Sequence, residues 1–412
     1  MRKRHLRAHL PKFSSDRMLL MVGLMVFFFV IFDGVLMYLA PIVITGAGIS
    51  ESLMGLIIGS SSIAGFAFDF VLTRTVREAH YRQMFLLMFL LGALYPLFLF
   101  GGTTVTFYLV AMAVWGFYYD FYNMGTLDFV ERTADPTHHA SDFGSLRAFE
   151  GTGYLLAPFI GSLLLLRFQP GPRMLLALAV PLVISFLFYL VLVLRPVVEK
   201  NAPSGTERRD ATGFLTEMGL WRTIGAILLP ALALTLTINM IDSAIWTFGP
   251  IFSEELGKAS GMPGGVFMIA YALPPILVGW IIGLVTRKFR TKSVTIASVG
   301  VGSVILVSLG MTQFPAALIA LIFAASFFLA IGWPTINAVY AEYIERIPGY
   351  RKETETLQDM FTNFGDTAGP ILGGYMAQYL GSAHTFVALG ITGTAIAAVL
   401  MVSESRRGGM RV

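Results

Sequence analysis

The sequence predicts an all-α membrane protein with twelve spanning helices in two related halves of six. Hydrophobic residues make up 56% of the 412 positions, which leaves too little polar surface for a water-soluble protein of this size. The apolar residues form twelve long stretches, each close to the ~20 residues that a helix needs to cross a membrane. At several points the second six stretches repeat residues of the first six.

The twelve candidate spans follow one another with short polar loops between them. They cover residues 18–44, 52–73, 83–101, 105–131, 143–167, 174–195, 222–252, 262–286, 293–312, 315–345, 354–380 and 384–403. Runs such as Met84–Leu91 and Met174–Leu194 are continuously apolar, whereas a transmembrane β-strand alternates apolar and polar residues. Every span is therefore expected to be helical.

The basic residues predict the orientation of the spans. Apart from Arg167, Arg173 and Lys258, the 29 Lys and Arg residues lie in the N-terminal segment, in or beside every second loop and in the C-terminal tail, with Arg147 in the first turns of the fifth span. Such residues are retained on the cytoplasmic side of a membrane. We therefore expect a multi-pass protein of the cytoplasmic (inner) membrane with both termini in the cytoplasm. Anionic lipids are expected partners for this basic rim, and nucleic acids are not.

A polar segment at residues 196–221 interrupts the apolar pattern and contains Pro203 and Gly205. Its composition is typical of a flexible linker. It predicts an N-terminal six-helix bundle at 1–195 and a C-terminal six-helix bundle at 222–412.

An internal repeat relates these two bundles. In the first and seventh spans, Asp33 and Pro41 align with Asp242 and Pro250 at a shift of 209 residues. In the fourth and tenth, a shift of 214 residues aligns Asn123, Asp128, Glu131 and Arg132 with Asn337, Glu342, Glu345 and Arg346. In the fifth and eleventh, a shift of 212 residues aligns Gly153, Pro158 and Gly161 with Gly365, Pro370 and Gly373. Because six is even, both halves start on the same side of the membrane. The repeat is therefore parallel, with its axis along the membrane normal.

Three motifs carry a family resemblance. The end of the second span has Gly65, Asp69 and Arg74 at the first, fifth and last positions of G-x-L-x-D-R-x-G-R-R. Segments 153–162 and 365–374 are similar to G-x-x-x-G-P-x-x-G-G, a pattern of antiporters in the same family. Over essentially its whole length the chain resembles the major facilitator superfamily.

The resemblance implies two six-helix bundles that rock around a central cavity, so that each end of the cavity opens in turn. Small residues allow helix backbones to approach closely in a membrane. They either pack static helices or also permit the helices to slide. The candidate packing residues are Gly153, Pro158, Gly161, Gly365, Gly369, Pro370 and Gly373.

Ionisable residues inside the spans are candidate functional groups, because a charge at a helix centre costs about 2.5–3.5 kcal/mol on insertion scales. Asp33 and Asp242 occupy matching depths in the first and seventh spans. They either bind and release a proton and a substrate, or hold helices together through hydrogen bonds. Arg147 either neutralises Glu150 one turn away or anchors an anionic substrate.

Helical spacing groups further polar residues with these acids. Thr235, Asn239, Asp242 and Trp246 follow at intervals of 4, 3 and 4, which predicts one helix face. The full predicted cavity set is Asp33, Asp120, Asn123, Arg147, Glu150, Tyr154, Asn239, Asp242, Trp246, Asn337, Asn363 and Asp366. Acids outnumber bases in this set, and aromatic residues are abundant beside them. A cationic or neutral substrate is therefore expected, bound in part by aromatic ring faces.

A second set of residues is expected to close the cytoplasmic end of the cavity by bonding across the two bundles. It comprises Gly65, Asp69, Arg74, Asp128, Glu131, Arg132, Glu342, Glu345, Arg346 and Asp359. The resemblance implies that Asp69 faces the N-terminal end of the eleventh span, where the helix dipole is positive. The alternative is a solvated rim worth about 0–1 kcal/mol per pair.

Motifs for other chemistry are missing from the sequence. It has no cysteine, none of its six histidines shows a metal-binding spacing, and it has no phosphate-binding Gly-rich loop with Lys. We expect no cofactor, no metal and no enzymatic activity. Energy must then come from an ion gradient or from the gradient of the substrate.

The sequence favours a proton-coupled exporter of a lipophilic or cationic small molecule that acts as a monomer. An uptake symporter for a sugar or other polar solute is the alternative, since the Asn amides can bond to hydroxyl groups. Two interpretations outside transport also stay open: a membrane-embedded lipid enzyme, and a receptor that has lost transport.

Overall fold

The computed structural model describes residues 17–75, 80–133, 139–194, 214–286 and 290–408. Side chains within these ranges are described except at 69–75, 139–140, 214–218, 280, 284–286, 348 and 405–408. In these ranges the regular structure consists of thirteen α-helices and one short 3-10 turn, Pro348–Tyr350, with no β-strand.

The helices match the predicted spans closely. They are α1 Arg17–Gly46, α2 Glu51–Thr75, α3 Tyr81–Gly101, α4 Val105–Thr133, α5 His139–Arg167, α6 Pro172–Leu194, α7 Phe214–Ser260, α8 Val266–Ala272, α9 Pro274–Thr286, α10 Thr291–Leu309, α11 Pro315–Arg346, α12 Arg351–Leu380 and α13 Ser382–Gly408. The start of α7 lies within the segment that the sequence predicts as a linker.

Nine of the helices in the described ranges contain a stretch long and apolar enough to cross a membrane. The remaining spans are α4, α12, and α8 together with α9. Helices α4 and α12 are long enough to cross, at 29 and 30 residues, but acidic and amide side chains lower their hydropathy. Helices α4 and α12 carry four residues of the predicted cavity: Asp120, Asn123, Asn363 and Asp366.

The eighth span is the one place where the predicted helix is wrong, because 262–286 contains two helices instead of one. Pro274 and Pro275 have no backbone N–H, so the carbonyl groups of Ala270 and Tyr271 lose their helical donors. The hydroxyl of Ser326 donates to the Tyr271 carbonyl oxygen at 2.6 Å and satisfies it. Pro158 and Pro370, by contrast, lie inside continuous helices.

Equivalent contacts hold the first helix of each half against the fifth. In the N-terminal half, a Cβ on Gly153 would lie 3.0 Å from the carbonyl oxygen of Phe27 on α1. In the C-terminal half, a Cβ on Gly365 would lie 3.0 Å from the carbonyl oxygen of Leu236 on α7. In the repeat, Phe27 aligns with Leu236 and Gly153 aligns with Gly365, so the two contacts are equivalent. The predicted two six-helix bundles are confirmed by this arrangement.

The two halves meet along a closed seam at the end of the molecule where α1 ends and α2 begins. Gly55 of α2 lies against the backbone of Pro370 and Gly374 on α12. Gly265, just before α8, lies against the carbonyl group of Pro158 on α5. Helices α4 and α11 make no extensive contact with each other in the described ranges. The halves are therefore joined at one end and separated at the other.

Candidate functional site

Asp33 lies in the middle of α1 and is almost fully buried, with 1% of its surface exposed. Its Oδ1 accepts hydrogen bonds from Trp115 Nε1 at 2.9 Å and from Tyr118 at 2.6 Å, both on α4. Its Oδ2 accepts from Tyr154 of α5 at 2.9 Å. Three donors from two helices therefore surround this carboxylate, and all three belong to its own half.

Arg147 and Glu150 form an ion pair on α5, with 2.7 Å between Arg147 Nη1 and Glu150 Oε2. The two partners differ in exposure: 67% of the Arg147 side chain is exposed but only 8% of Glu150. Most of the guanidinium N–H donors therefore stay available to a ligand, since one nitrogen suffices to neutralise the glutamate. This geometry fits both roles that the sequence suggests for Arg147.

Asp242 of α7 lies in a different environment. Its Oδ1 accepts one hydrogen bond in the described structure, from Tyr271 of α8 at 2.6 Å. It borders a small cavity lined by Ile238, Asp242, Tyr271, Pro275, Ser326, Leu329, Ala330 and Trp333. No Lys or Arg is among these lining residues, so the protein supplies no positive charge at the carboxylate there.

A second acid accompanies Asp242. Asp366 of α12 is partly exposed and lies close enough to interact electrostatically with Asp242. Trp246, one turn along α7, packs edge-on against Tyr271 with 6.2 Å between the ring centroids. Asp242 and the aromatic rings of Tyr271 and Trp333 thus line one small space, and Asp366 and Trp246 lie close to these lining residues. Such a combination suits a positively charged ligand.

The two halves also contact each other where α5 crosses α9. A Cβ on Gly151, the residue after Glu150, would lie 3.6 Å from Cγ1 of Ile276. The residue before Ile276 is Pro275, which lines the Asp242 cavity. The Arg147–Glu150 pair therefore lies beside the interface that leads to Asp242.

The four asparagines of the predicted cavity have different positions. Asn239 is 2% exposed, packs against Gly365 of α12 and donates to the Thr235 carbonyl oxygen at 2.7 Å. It lies between helices, away from the cavity, which corrects the sequence expectation. Asn337 accepts a hydrogen bond from Gln358, and Asn363 donates to the carbonyl oxygen of Asp359 on its own helix.

Two further residues of the predicted cavity belong to α4. Asn123 is partly exposed. Asp120 faces α2, where a Cβ on Gly65 would lie 3.1 Å from its Oδ2. Because Gly65 has no side chain, the Asp120 carboxylate fits against α2 at this point. The family motif did not suggest this role for Gly65.

The predicted gate residues bond within their own halves in this structure. Arg132 Nε lies 2.7 Å from Asp128 Oδ1, and Asp128 Oδ2 also accepts from the backbone N–H of Tyr81 at the start of α3. On α11, Arg346 lies 4.0 Å from Glu342. The expected bonds across the bundles are not formed by these pairs, because the halves are separated at this end.

The other predicted gate residues differ in exposure. Glu131 is partly exposed, and Glu345 and Asp359 are exposed. The side chains of Asp69 and Arg74 lie outside the described residues, so their gate roles stay predictions from the sequence.

Sequence reasoning missed the donors that distinguish the two buried acids. Among these donors, Trp115 and Tyr118 were counted only within a general group of aromatic residues, and Tyr271 was not singled out. A signal for Tyr271 existed, since it lies three residues before the Pro274-Pro275 pair. Broken helices in transporters often lie at binding sites.

The fold and the site define the class of the protein. Twelve helical spans in two equivalent halves, with acids and aromatic residues at membrane depth between them, are typical of a secondary transporter. The sequence matches the Major Facilitator Superfamily over residues 22–348 and 232–410. The chain belongs to this family, and the resemblance seen in its motifs is confirmed.

Solved structures of similar fold are transporters of this superfamily. The nucleoside transporter NupG is 14% identical, with a TM-score of 0.72 over 94% of this chain and 99% of its own. A bacterial homolog of the human lysosomal transporter Spinster, in an inward-facing and unoccupied conformation, is 13% identical, with a TM-score of 0.66 over 94% and 96%.

The peptide transporter POT, as a point mutant in complex with sulfate, is 11% identical, with a TM-score of 0.72 over 96% and 95%. At these identities the likeness concerns the fold. No protein of curated function matches the sequence.

Proposed function

We propose that this chain is a proton-coupled transporter that exports a lipophilic or cationic small molecule. The observation that carries the proposal is the Asp242 cavity. Its described lining residues include the acid Asp242 and two aromatic residues but no basic residue, and a second acid, Asp366, lies close enough to interact with Asp242. A cation or a proton would each neutralise these carboxyl groups, so the two would compete for one site.

The coupling follows from this competition. With the cavity open to the cytoplasm, a cation binds beside the ionised Asp242 and Asp366. After the halves rock and the other end opens, a proton from outside binds to the carboxylate and releases the cation. The proton is then carried inward as the site returns. Binding and release therefore alternate at one pair of carboxyl groups.

The proposal includes the orientation and the state of assembly. The distribution of Lys and Arg supports cytoplasmic termini in an inner membrane. The closed seam then faces outward and the separated ends face the cytoplasm. We propose a monomer as the working unit. The boundaries at 195 and 222 remain proposed ends of the two bundles, with α7 reaching into the segment between them.

The test uses two probes of the same shape and opposite charge, tetraphenylphosphonium and tetraphenylborate. Purified protein in detergent should bind the cation and not the anion. Binding of the cation in unbuffered solution should release protons, and it should weaken as the pH is lowered. Equal binding of both ions, or cation binding without proton release, would contradict the proposal.

Transport is measured separately in proteoliposomes with an imposed pH gradient. The cation should accumulate on the side from which protons leave, and a protonophore should abolish the accumulation. Glucose in place of the cation serves as the neutral control. Its gradient-driven accumulation, with no transport of the cation, would favour a symporter instead.

One observation favours this second function, a symporter for a polar solute. The guanidinium of Arg147 is largely exposed while its partner Glu150 is buried, so it offers donors to hydroxyl or anionic groups. Arg147→Gln should then abolish solute binding, whereas for an exporter of hydrophobic cations it should leave cation binding near its wild-type level.

A further inference from the structure

A hydrogen bond crosses the closed seam at a place that the proposed site does not use. Tyr38 of α1 donates to Glu254 Oε1 of α7 at 2.6 Å. Tyr38 is fully buried, and its ring packs against Gly161 of α5, where a Cβ would lie 2.7 Å from ring carbon Cδ1. The bond therefore joins the first helix of one half to the first helix of the other.

Glu254 is held closely from its own half. Its carboxyl group lies against Gly264, where no Cβ would fit. The preceding residue, Ser253, donates to the carbonyl oxygen of Gly264. The carboxylate is thus fixed in position, and Tyr38 meets it from the opposite half.

An alternative partner for the Tyr38 hydroxyl lies in its own half. Ser162 of α5 is fully buried and neighbours the Tyr38 hydroxyl. Its Oγ makes no hydrogen bond within the described residues. Ser162 therefore has no well-formed hydrogen bond to the described part of the chain in this conformation, although it lies close enough to the Tyr38 hydroxyl to interact with it.

We propose that Tyr38 is a latch that bonds to Glu254 when the seam is closed and to Ser162 when the seam is open. On opening, Glu254 moves away with the C-terminal half and becomes hydrated. Tyr38 stays with α1 and α5, where the Ser162 oxygen accepts its hydroxyl. The exchange keeps Tyr38 satisfied in both states, so neither state leaves its hydroxyl buried without a partner.

Each side chain then has an expected effect on the balance between closed and open seams. Tyr38→Phe keeps the ring against Gly161 but leaves the Glu254 carboxylate without this donor in the closed state only. Phe also removes the weaker, neutral bond to Ser162 in the open state, so the open population should rise by about fivefold, the ratio that the difference between the two bonds supports. Ser162→Ala removes the partner of the open state and should lower that population.

The experiment measures the seam directly. Since the chain has no cysteine, cysteines introduced at the exposed Ala47 and Ala259 carry the only two spin labels. They report the distance between the ends of α1 and α7. The closed seam gives a short distance and the open seam a long one. The long-distance fraction is compared among wild type and variants.

Tyr108→Phe is the matched control. Tyr108 is also buried, but its hydroxyl donates at 2.8 Å to the carbonyl oxygen of Gly102 within the N-terminal half. It should not change the long-distance fraction. An equal shift in Tyr38→Phe and Tyr108→Phe, or no shift in either, would overturn the latch.

Two further variants complete the test. Glu254→Gln keeps the size of the acceptor but removes its charge, so it should shift the fraction in the same direction as Tyr38→Phe by a smaller factor. It also serves if Tyr38→Phe does not fold. An unchanged fraction in Ser162→Ala would overturn the exchange of partners. Because none of these variants touches the Asp242 cavity, cation binding in detergent distinguishes failure of the latch from failure of the proposed transport function.

Discussion

Asp33 and Asp242 occupy equivalent positions in the two halves, yet their surroundings differ. Asp33 is 1% exposed and accepts hydrogen bonds from three side chains. Asp242 borders a cavity, accepts one bond from Tyr271 in the described structure, and has a second acid as its neighbour. One acid is enclosed by donors, and the other is accessible to a ligand.

The repeat explains how this difference arises. The three donors to Asp33 align with residues that have no comparable donor. Trp115, Tyr118 and Tyr154 fall on Leu329, Gly332 and Asp366. The duplicated helices thus keep the acid and change its neighbours. The side chains around a buried acid, more than its depth in the membrane, decide whether it holds the fold or exchanges ligands.

The largest effect that separates the two acids is expected from Asp242→Asn. The amide keeps the size of the side chain and can still accept the Tyr271 hydrogen bond, but it cannot exchange a proton. Transport driven by a pH gradient should fall to the level of empty liposomes, with thermal stability close to wild type. Full transport in this variant would mean that Asp242 is not the coupling group.

Asp33→Asn should instead reduce stability. The carboxylate of Asp33 has two acceptor oxygens, whereas the Asn amide has one acceptor oxygen and one NH2 donor. At least one of the three surrounding donor groups then faces the NH2, which cannot accept a hydrogen bond. The loss is expected to be about 1–3 kcal/mol of the free energy of unfolding, the usual cost of an unsatisfied buried polar group. Thermal unfolding in detergent measures it. Protein that folds should keep gradient-driven transport; its complete loss would place Asp33 in the coupling mechanism.

Asp366→Asn tests whether the second acid adds to cation binding. Removing one of two nearby negative charges weakens the attraction for a cation by about 1 kcal/mol, on the order of fivefold in affinity. Isothermal titration with tetraphenylphosphonium measures the change. The anion tetraphenylborate provides the control. An unchanged affinity for the cation would remove Asp366 from the binding site.

The smallest effect is expected from Tyr154→Phe, which removes one of the three donors to Asp33. Two donors remain, so the free energy of unfolding should fall by only about 1 kcal/mol. Tyr189→Phe, which loses a bond to the carbonyl oxygen of Arg82 at 2.9 Å, is a comparison of similar chemistry away from any acid. A much larger loss in Tyr154→Phe, together with lost transport, would show that the Asp33 cluster is part of the site.

Most of the fold could be predicted from the sequence, because continuous apolar runs of spanning length have few alternatives in a membrane. The acids were also visible, since charges at that depth are rare. The break between α8 and α9 was not predicted. Pro158 and Pro370 show why: similar prolines lie inside unbroken helices, and packing of the neighbouring helices decides which helix breaks.

The partners of the acids could not be predicted, because they depend on how each helix is rotated in the bundle. Helix α4 has aromatic residues on all sides, and only packing shows that Trp115 and Tyr118 face Asp33. The prediction that Asn239 lines the cavity was wrong for a related reason. A spacing of three residues from Asp242 covers a wide arc of α7, and that arc includes both the cavity and the contact with α12.

The contact between α2 and α12 has a consequence for the speed of the molecule. At Gly55 and Gly374 the two backbones touch directly, so no side chain of one helix is inserted between side chains of the other. At this point the helices can part without the withdrawal of a bulky group from a pocket, whereas further along α2 the side chain of Ile371 lies against Gly59. The energy barrier to separation at this point is then low, so opening can be fast even where the contact area is large.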